Sequence, residues 1–238
     1  MLLEVVGLRK SFGSIIVAEN LDLVIASGEA VGIIGPNGAG KTSLFNLIAG
    51  GLSPNGGTIC FDGRDLAGMP PQARCRAGIS RTHQIPQPFE KLTVFENLLV
   101  GAVYARRKTE REVTQSCGEI LERLGLLKRA NAPAGSLTLL ERKQLEMARA
   151  LATAPRLLLL DEIAGGLTEG ECAELVATIL EVRRTGTAVL WIEHVVHALL
   201  AVIDRLVVLN FGRKMAEGSP EEVMRLPQVH QIYIGIEA

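Results

Sequence analysis

Gly35-Pro36-Asn37-Gly38-Ala39-Gly40-Lys41-Thr42 is the stretch that decides the fold. It fits G-x-x-x-x-G-K-[ST] and stands between an apolar run, Ala30-Val31-Gly32-Ile33-Ile34, and a segment of helical apolar spacing, Ser43-Leu44-Phe45-Asn46-Leu47-Ile48. Glycines at these places let the backbone curl so that successive N–H groups point at one anion. The helix opening at Gly40 adds its positive end. Lys41 is placed to reach the β- and γ-phosphates, and the Thr42 hydroxyl to complete the shell of a bound Mg²⁺. Together with Ser43, these residues are expected to cradle a nucleoside triphosphate.

The rest of the chain agrees with such a domain. At 238 residues it can bury one good core and a small second lobe. Hydrophobic residues make up 47% and the mean hydropathy is +0.25, which suits parallel strands that are apolar on both faces. Lys+Arg 25 against Asp+Glu 26 gives a net charge of −1, so no positive excess points to nucleic acid. Apolar stretches such as Leu157 to Leu160 are too short to span a bilayer. Met1-Leu2-Leu3-Glu4 lacks the layout of a signal peptide. Cys60, Cys75, Cys117 and Cys172 form no C-x-x-C pair, so reduced thiols in a cytosolic protein are expected.

Along the chain, 2–8 and 21–25 read as strands separated by the turn-rich Ser11-Phe12-Gly13-Ser14. Asn55-Gly56-Gly57 turns into a strand over 58–61. Residues 93–127 read as helical, opening on the capping box Thr93-Val94-Phe95-Glu96. A loop over 131–135 leads to a second box, Thr138-Leu139-Leu140-Glu141, and a helix to about Thr153. Strand 156–161, helix 169–184, strand 187–192, helix 195–202 and strand 205–209 then alternate, which predicts a parallel sheet covered by helices on both faces. The helical block from Gln84 to Leu137 interrupts that alternation and reads as a separate lobe.

Arg156-Leu157-Leu158-Leu159-Leu160-Asp161-Glu162 is a buried strand ending in two acids. Beside a phosphate loop, Asp161 suits an acid that holds Mg²⁺ through its water shell, and Glu162 one that polarises the attacking water. With these residues in order, the chain resembles the ATP-binding cassette (ABC) ATPases over essentially its whole length. The resemblance implies a phosphate-loop NTPase core with a mostly parallel sheet, a small antiparallel β subdomain at the N-terminus and an inserted α-helical subdomain. It divides one cassette, 1–238, into a RecA-like core with the β subdomain (1–83 and 155–238) and a helical signature subdomain (84–154). It also implies that Phe12 stacks on adenine, that Gln84 contacts Mg²⁺ and the attacking water, and that His194 senses the γ-phosphate. Read alone, Phe12 is equally an ordinary core residue. His194 and His197, three apart, suggest a metal pair for which no third ligand lies near.

Finer features narrow the likeness. Ile79-Ser80-Arg81-Thr82-His83-Gln84, Phe89, Leu92-Thr93-Val94, Glu96-Asn97, Leu44-Phe45-Asn46, Ile192-Glu193-His194 and the ending Ile232-Tyr233-Ile234-Gly235 resemble ATPase subunits of branched-chain amino-acid importers. Lipopolysaccharide-export ATPases look similar. The alternative class is a soluble ABC ATPase of DNA repair, chromosome structure or translation, but those usually carry coiled coils, zinc modules or a second cassette. The importer likeness implies ATP hydrolysis with Mg²⁺ at the inner face of a cell membrane. Its partners would be two membrane permease subunits, a second cassette joined head-to-tail and an external substrate-binding protein. The segment 84–103, with Pro86, Pro88 and Phe89, is expected to form the groove for the membrane subunit.

Two departures stand out. The family signature Leu-Ser-Gly-Gly-Gln aligns with Leu137-Thr138-Leu139-Leu140-Glu141. Thr138 keeps a hydroxyl for a partner's nucleotide, but both glycines are leucine, and Glu141 either sets a carboxylate near that nucleotide or folds back to cap Thr138. After Asp161-Glu162, Ile163 stands where proline is usual and Thr168 where aspartate or asparagine is. The altered half-site predicts a partner cassette that is a different chain.

Overall fold

The structure, a computed structural model, describes residues 1–234; Gly235, in the closing segment quoted above, lies outside the described residues. A hairpin opens the chain: β1 (Leu3–Phe12) pairs with β2 (Ile15–Ile25), Phe12 facing Ile15 across the turn. Both strands run further than the sequence suggests. Gly13, at φ +60, closes the turn within two residues, so Ser11 and Phe12 stay in the ladder. β3 (Ala30–Ile34) leads through the glycine-rich loop into α1 (Lys41–Ala49). β4 (Gly56–Phe61) and β5 (Arg64–Asp65) complete a four-stranded antiparallel sheet in the order β2-β1-β4-β5.

The second sheet carries the chemistry. After α2 (Pro71–Ala77) comes β6 (Ile79–Arg81), then the helices α3 (Val94–Arg106), α4 (Glu110–Arg123) and α5 (Leu139–Ala152). β7 (Leu157–Asp161), α6 (Glu169–Arg184), β8 (Ala188–Ile192), α7 (Val196–Leu200) and β9 (Arg205–Asn210) follow. The chain then runs through β10 (Arg213–Gly218), α8 (Pro220–Met224) and α9 (Pro227–Ile234). The sheet order is β10-β9-β3-β8-β7-β6; β6 to β9 and β3 are parallel, and β10 is an antiparallel edge. β3, β7 and β8 are buried along their whole length, as parallel strands covered on both faces must be.

Side-chain alternation splits the core in two. Val31, Ile33, Leu157 and Leu159 join Phe45 and the antiparallel sheet on one face. Ala30, Ile34, Leu158 and Leu160 join the α3–α5 block on the other. Each fully buried leucine contributes about 1.5–3 kcal/mol. Gly32 has no room for a side chain: a Cβ there would lie 2.7 Å from Ile203 and 3.1 Å from Leu199, because α7 and the segment after it pack directly on β3.

The long helical run splits at Arg107, which has φ +52. A further capping box, Thr109 with Glu112, starts α4 anew, so local capping divides what reads as one helical stretch. The boxes read at Thr93 and Thr138 both form.

Candidate functional site

The phosphate loop is shaped by steric exclusion. A Cβ on Gly35 (φ +154) would lie 2.1 Å from the carbonyl oxygen of Leu209, and one on Gly40 (φ +99) 2.1 Å from that of Val17. Only glycine lets β9 and β2 close in on the two ends of the loop. α1 begins with Gly40 as its N-cap, no side-chain cap and no acid in its first turn. Its leading N–H groups therefore face a groove of about 280 Å³ lined by the loop from Asn37 to Ser43, by Ile15 and Val17, and by Glu162.

Lys41 is only 5% exposed, and its Nζ donates to the carbonyls of Gly35 (2.8 Å) and Pro36 (3.0 Å). Burial pushes its ammonium below the usual lysine value, while Glu162 and Asp161 pull it back up. Two loop carbonyls and two acids thus hold the charge inside the groove, ready to be shared with a phosphate.

β7 delivers both acids. Asp161, 3% exposed, accepts a 2.6 Å bond from Arg81 Nη2. Glu162 follows with φ +47, and its N–H donates to the carbonyl of Ile192 on the neighbouring strand. This turned-out backbone brings its carboxylate between two of the expected partners: Gln84 Nε2 donates to Oε2 at 2.5 Å, and His194 Nε2 lies 2.7 Å from Oε1. Glu162 therefore lines both the groove that holds Lys41 and a neighbouring cavity lined by Gln84 and His194, and joins these sequence-distant residues.

Sequence reasoning passed over two groups here. Nothing local marks Arg81; its pairing follows from the register of β6 on β7, which sets Arg81 opposite Leu159, one side-chain repeat from Asp161 on the same face. Glu193 is buried, and its carboxylate accepts from the N–H groups of Ala164, His194 and Val195, tying the loop after Glu162 to the loop that carries His194. A charged residue ending the apolar strand Ala188–Ile192 was the available signal.

Phe12 is not a core residue: it is 48% exposed, with the Lys10 ammonium 5.0 Å from its ring centroid, and it neighbours Ile15 at the mouth of the groove. Thr138 is not brought to the chain's own phosphate loop. It caps α5, accepting from the Glu141 N–H, while the Glu141 carboxylate accepts from the Thr138 N–H (2.9 Å) and pairs with Arg129 (3.2 Å). Of the two placements read for Glu141, the cap is the one observed. Leu139 and Lys143 of the same helix line a separate cavity of about 340 Å³ beside Gln84, Glu162 and His194. The second departure also has a physical account: Thr168 caps α6 with Glu171, and Ile163 is buried in the core.

Among the described residues no group of three His, Cys, Asp or Glu could hold a metal alone. Thr42, Asp161 and Gln84 offer a hydroxyl, a carboxylate and an amide oxygen. Such a sparse all-oxygen set with a single carboxylate fits Mg²⁺, which is held through one or two carboxylates and completes its shell with phosphate and water. It would act there by neutralising charge on the phosphates.

Comparison with known proteins agrees with this geometry. The family model described as ABC transporter matches residues 18–165. The high-affinity branched-chain amino acid transport ATP-binding protein LivG of Salmonella typhimurium is 39% identical over 98% of both chains. The lipopolysaccharide export system ATP-binding protein LptB of Acidithiobacillus ferridurans is 34% identical over 98% of this chain and 97% of its own. A crystal structure of an ATP-binding cassette of an ABC transporter in its ADP conformation superposes with a TM-score of 0.90 at 34% identity, over 98% of each chain. The loop, the paired acids and the match along nearly the whole length together establish that this chain belongs to the ABC transporter family, as its ATP-binding cassette.

Proposed function

We propose that this cassette binds ATP with Mg²⁺, hydrolyses it, and thereby drives an importer of branched-chain or related amino acids. The observation that carries the hydrolytic reading is the grip on Glu162 by Gln84 and His194, facing the groove that holds Lys41. In this reading Lys41, Thr42 and the loop N–H groups bind the phosphates and Phe12 the base. Asp161, Thr42 and Gln84 serve the metal. Glu162 polarises a water that Gln84 also contacts, and His194 senses the γ-phosphate. The 39% identity to LivG favours the amino-acid cargo over lipopolysaccharide export, where the likeness to LptB is 34%.

Membrane partners follow from the same reading. No helix among the described residues is long and apolar enough to cross a membrane. A groove of about 430 Å³ borders the segment expected to receive a permease subunit at Phe89, Asn97, Val100 and Gly101, its other walls coming from α1, α2, β6 and α5. The chain would then work peripherally, at the inner face, with two permease subunits and an external binding protein. Residues 84–154 would be the signature subdomain and the remainder the core.

The second cassette is a different chain. Glu141 already occupies the start of α5, and leucines replace the flexible backbone that would close over a partner's γ-phosphate. Light scattering of the Glu162→Gln protein with Mg-ATP tests this: a monomer is expected, and a tight ATP-dependent homodimer refutes it. Vesicles holding this chain with the permeases and second cassette that genomic neighbours encode, supplied with their external binding protein, test the cargo. ATP-driven leucine, isoleucine or valine uptake is expected, and ATP turnover without uptake of any amino acid refutes it.

A further inference from the structure

Arg81 closes β6, and its guanidinium is shared between two elements of the nucleotide site. Nη2 donates to Asp161 Oδ2 at 2.6 Å and Nη1 to Asn46 Oδ1 at 2.5 Å, while Cζ lies 5.6 Å from the centroid of the Phe45 ring. Nε is buried without a hydrogen-bond partner among the described residues, so these contacts alone orient the group. Such a planar fork is rigid in a way an ammonium is not.

Asn46 matters because of where it sits. It is four residues after Thr42 on α1, and side chains four apart stack on one face of a helix. Arg81 therefore ties Asp161 to the helix face that also carries the Thr42 hydroxyl. Resting on the reading of Thr42 and Asp161 as the metal-facing pair, we propose that Arg81 is a positioning residue. Its fork between Asn46 and Asp161 sets the span across which the nucleotide's Mg²⁺ is held, and so sets the affinity for that ion.

Two effects of the guanidinium oppose each other. Its fork orients Asp161, and its positive charge repels a metal ion. Arg81→Lys keeps the charge but replaces the planar two-nitrogen fork by a single ammonium nitrogen that cannot reproduce its geometry; Asn46→Ala keeps the whole arginine and removes the far anchor. Either change isolates the orienting effect. Losing a group that orients a metal ligand typically costs about 10–100-fold in metal affinity.

The test titrates Mn²⁺, as a paramagnetic stand-in for Mg²⁺, into the full-length protein holding ADP, and reads free Mn²⁺ by EPR. ADP affinity in EDTA is measured beside it. Arg81→Lys and Asn46→Ala should each raise the half-saturating Mn²⁺ concentration about 10–100-fold. ADP binding in EDTA should stay within about twofold, which also shows that the loop is intact. If Asp161→Asn weakens Mn²⁺ but both other variants bind it as the wild type does, the tie has no positioning role. A parallel loss of metal-free ADP binding in the two variants would make them mere scaffold and overturn the proposal as well. An Asp161→Asn protein with wild-type Mn²⁺ affinity would instead remove the reading of the metal site on which the proposal rests.

Discussion

Replacing Glu162 by glutamine alters little except charge and hydrogen bonding. The residue has φ +47, a conformation glutamine tolerates as well as glutamate, so the backbone turn that brings it into the groove is kept. Its carboxylate accepts from Gln84 Nε2 and contacts His194 Nε2. An amide has one acceptor oxygen, so it cannot keep both contacts as a carboxylate does. Losing a hydrogen bond to a charged group costs about 1.5–3 kcal/mol of ordering around the attacking water. Loss of general-base function alone removes about 10²–10⁴-fold, or roughly 2.7–5.4 kcal/mol of barrier lowering. The two losses overlap, since the ordering serves the base, so a fall of at least about 10²-fold in turnover is expected. Binding moves the other way. Glu162 lies in the groove where phosphates would sit, and neutralising it removes a repulsion, so ATP affinity should hold or rise. Single-turnover phosphate release with saturating Mg-ATP, beside equilibrium nucleotide titrations, separates the two. Hydrolysis at the wild-type rate, or parallel loss of binding and turnover, would refute the role given to Glu162.

Further expectations concern binding. Lys41→Ala should weaken ATP and leave the loop less ordered, because Nζ also holds the carbonyls of Gly35 and Pro36; wild-type affinity by calorimetry would contradict this. Phe12→Ala should loosen ATP by about 1–3 kcal/mol, the range for aromatic–base stacking, and discriminate little between ATP and GTP. Equal affinity would leave the exposed ring without a nucleotide role. Gly40→Ala would set a methyl group 2.1 Å from the Val17 carbonyl at a φ of +99, so the loop must shift; nucleotide binding should be lost with only modest change in Tm, and retained binding would show that the hairpin can yield.

What could be read from the chain, and what could not, follows from the range of the interactions involved. Gly35–Thr42, the cap at Thr138 and the strand ending in Asp161 are local patterns, and each lies where its pattern says. The break at Arg107 is hidden because Thr109–Glu112 fits within one amphipathic helical run. β10 is a short half-exposed edge strand, RKMAEG, with no apolar periodicity to announce it. The Arg81–Asp161 pair depends on parallel register between strands some 80 residues apart, which no local window contains.

The caps themselves divide the helices by task. α3, α4, α5, α6 and α8 each begin with a threonine or serine whose hydroxyl and a glutamate three residues on satisfy the first N–H groups. The backbone N–H bonds of Thr93, Thr109 and Thr168 hold Glu96, Glu112 and Glu171 below the usual carboxylate value, so these caps persist above that range and weaken as pH falls through the lowered values. α1 alone among the helices of the nucleotide groove opens on glycine, with no acid and no hydroxyl cap, and leaves its donors to an anion from outside the chain. α5 is built as the stable kind of helix although its place in the family is that of a second anion-facing helix. To receive a phosphate there, the Glu141 carboxylate would have to leave both the Thr138 N–H and Arg129. The contrast between these two helix starts is the physical reason for expecting one productive site from this chain's loop and a weaker one beneath its α5.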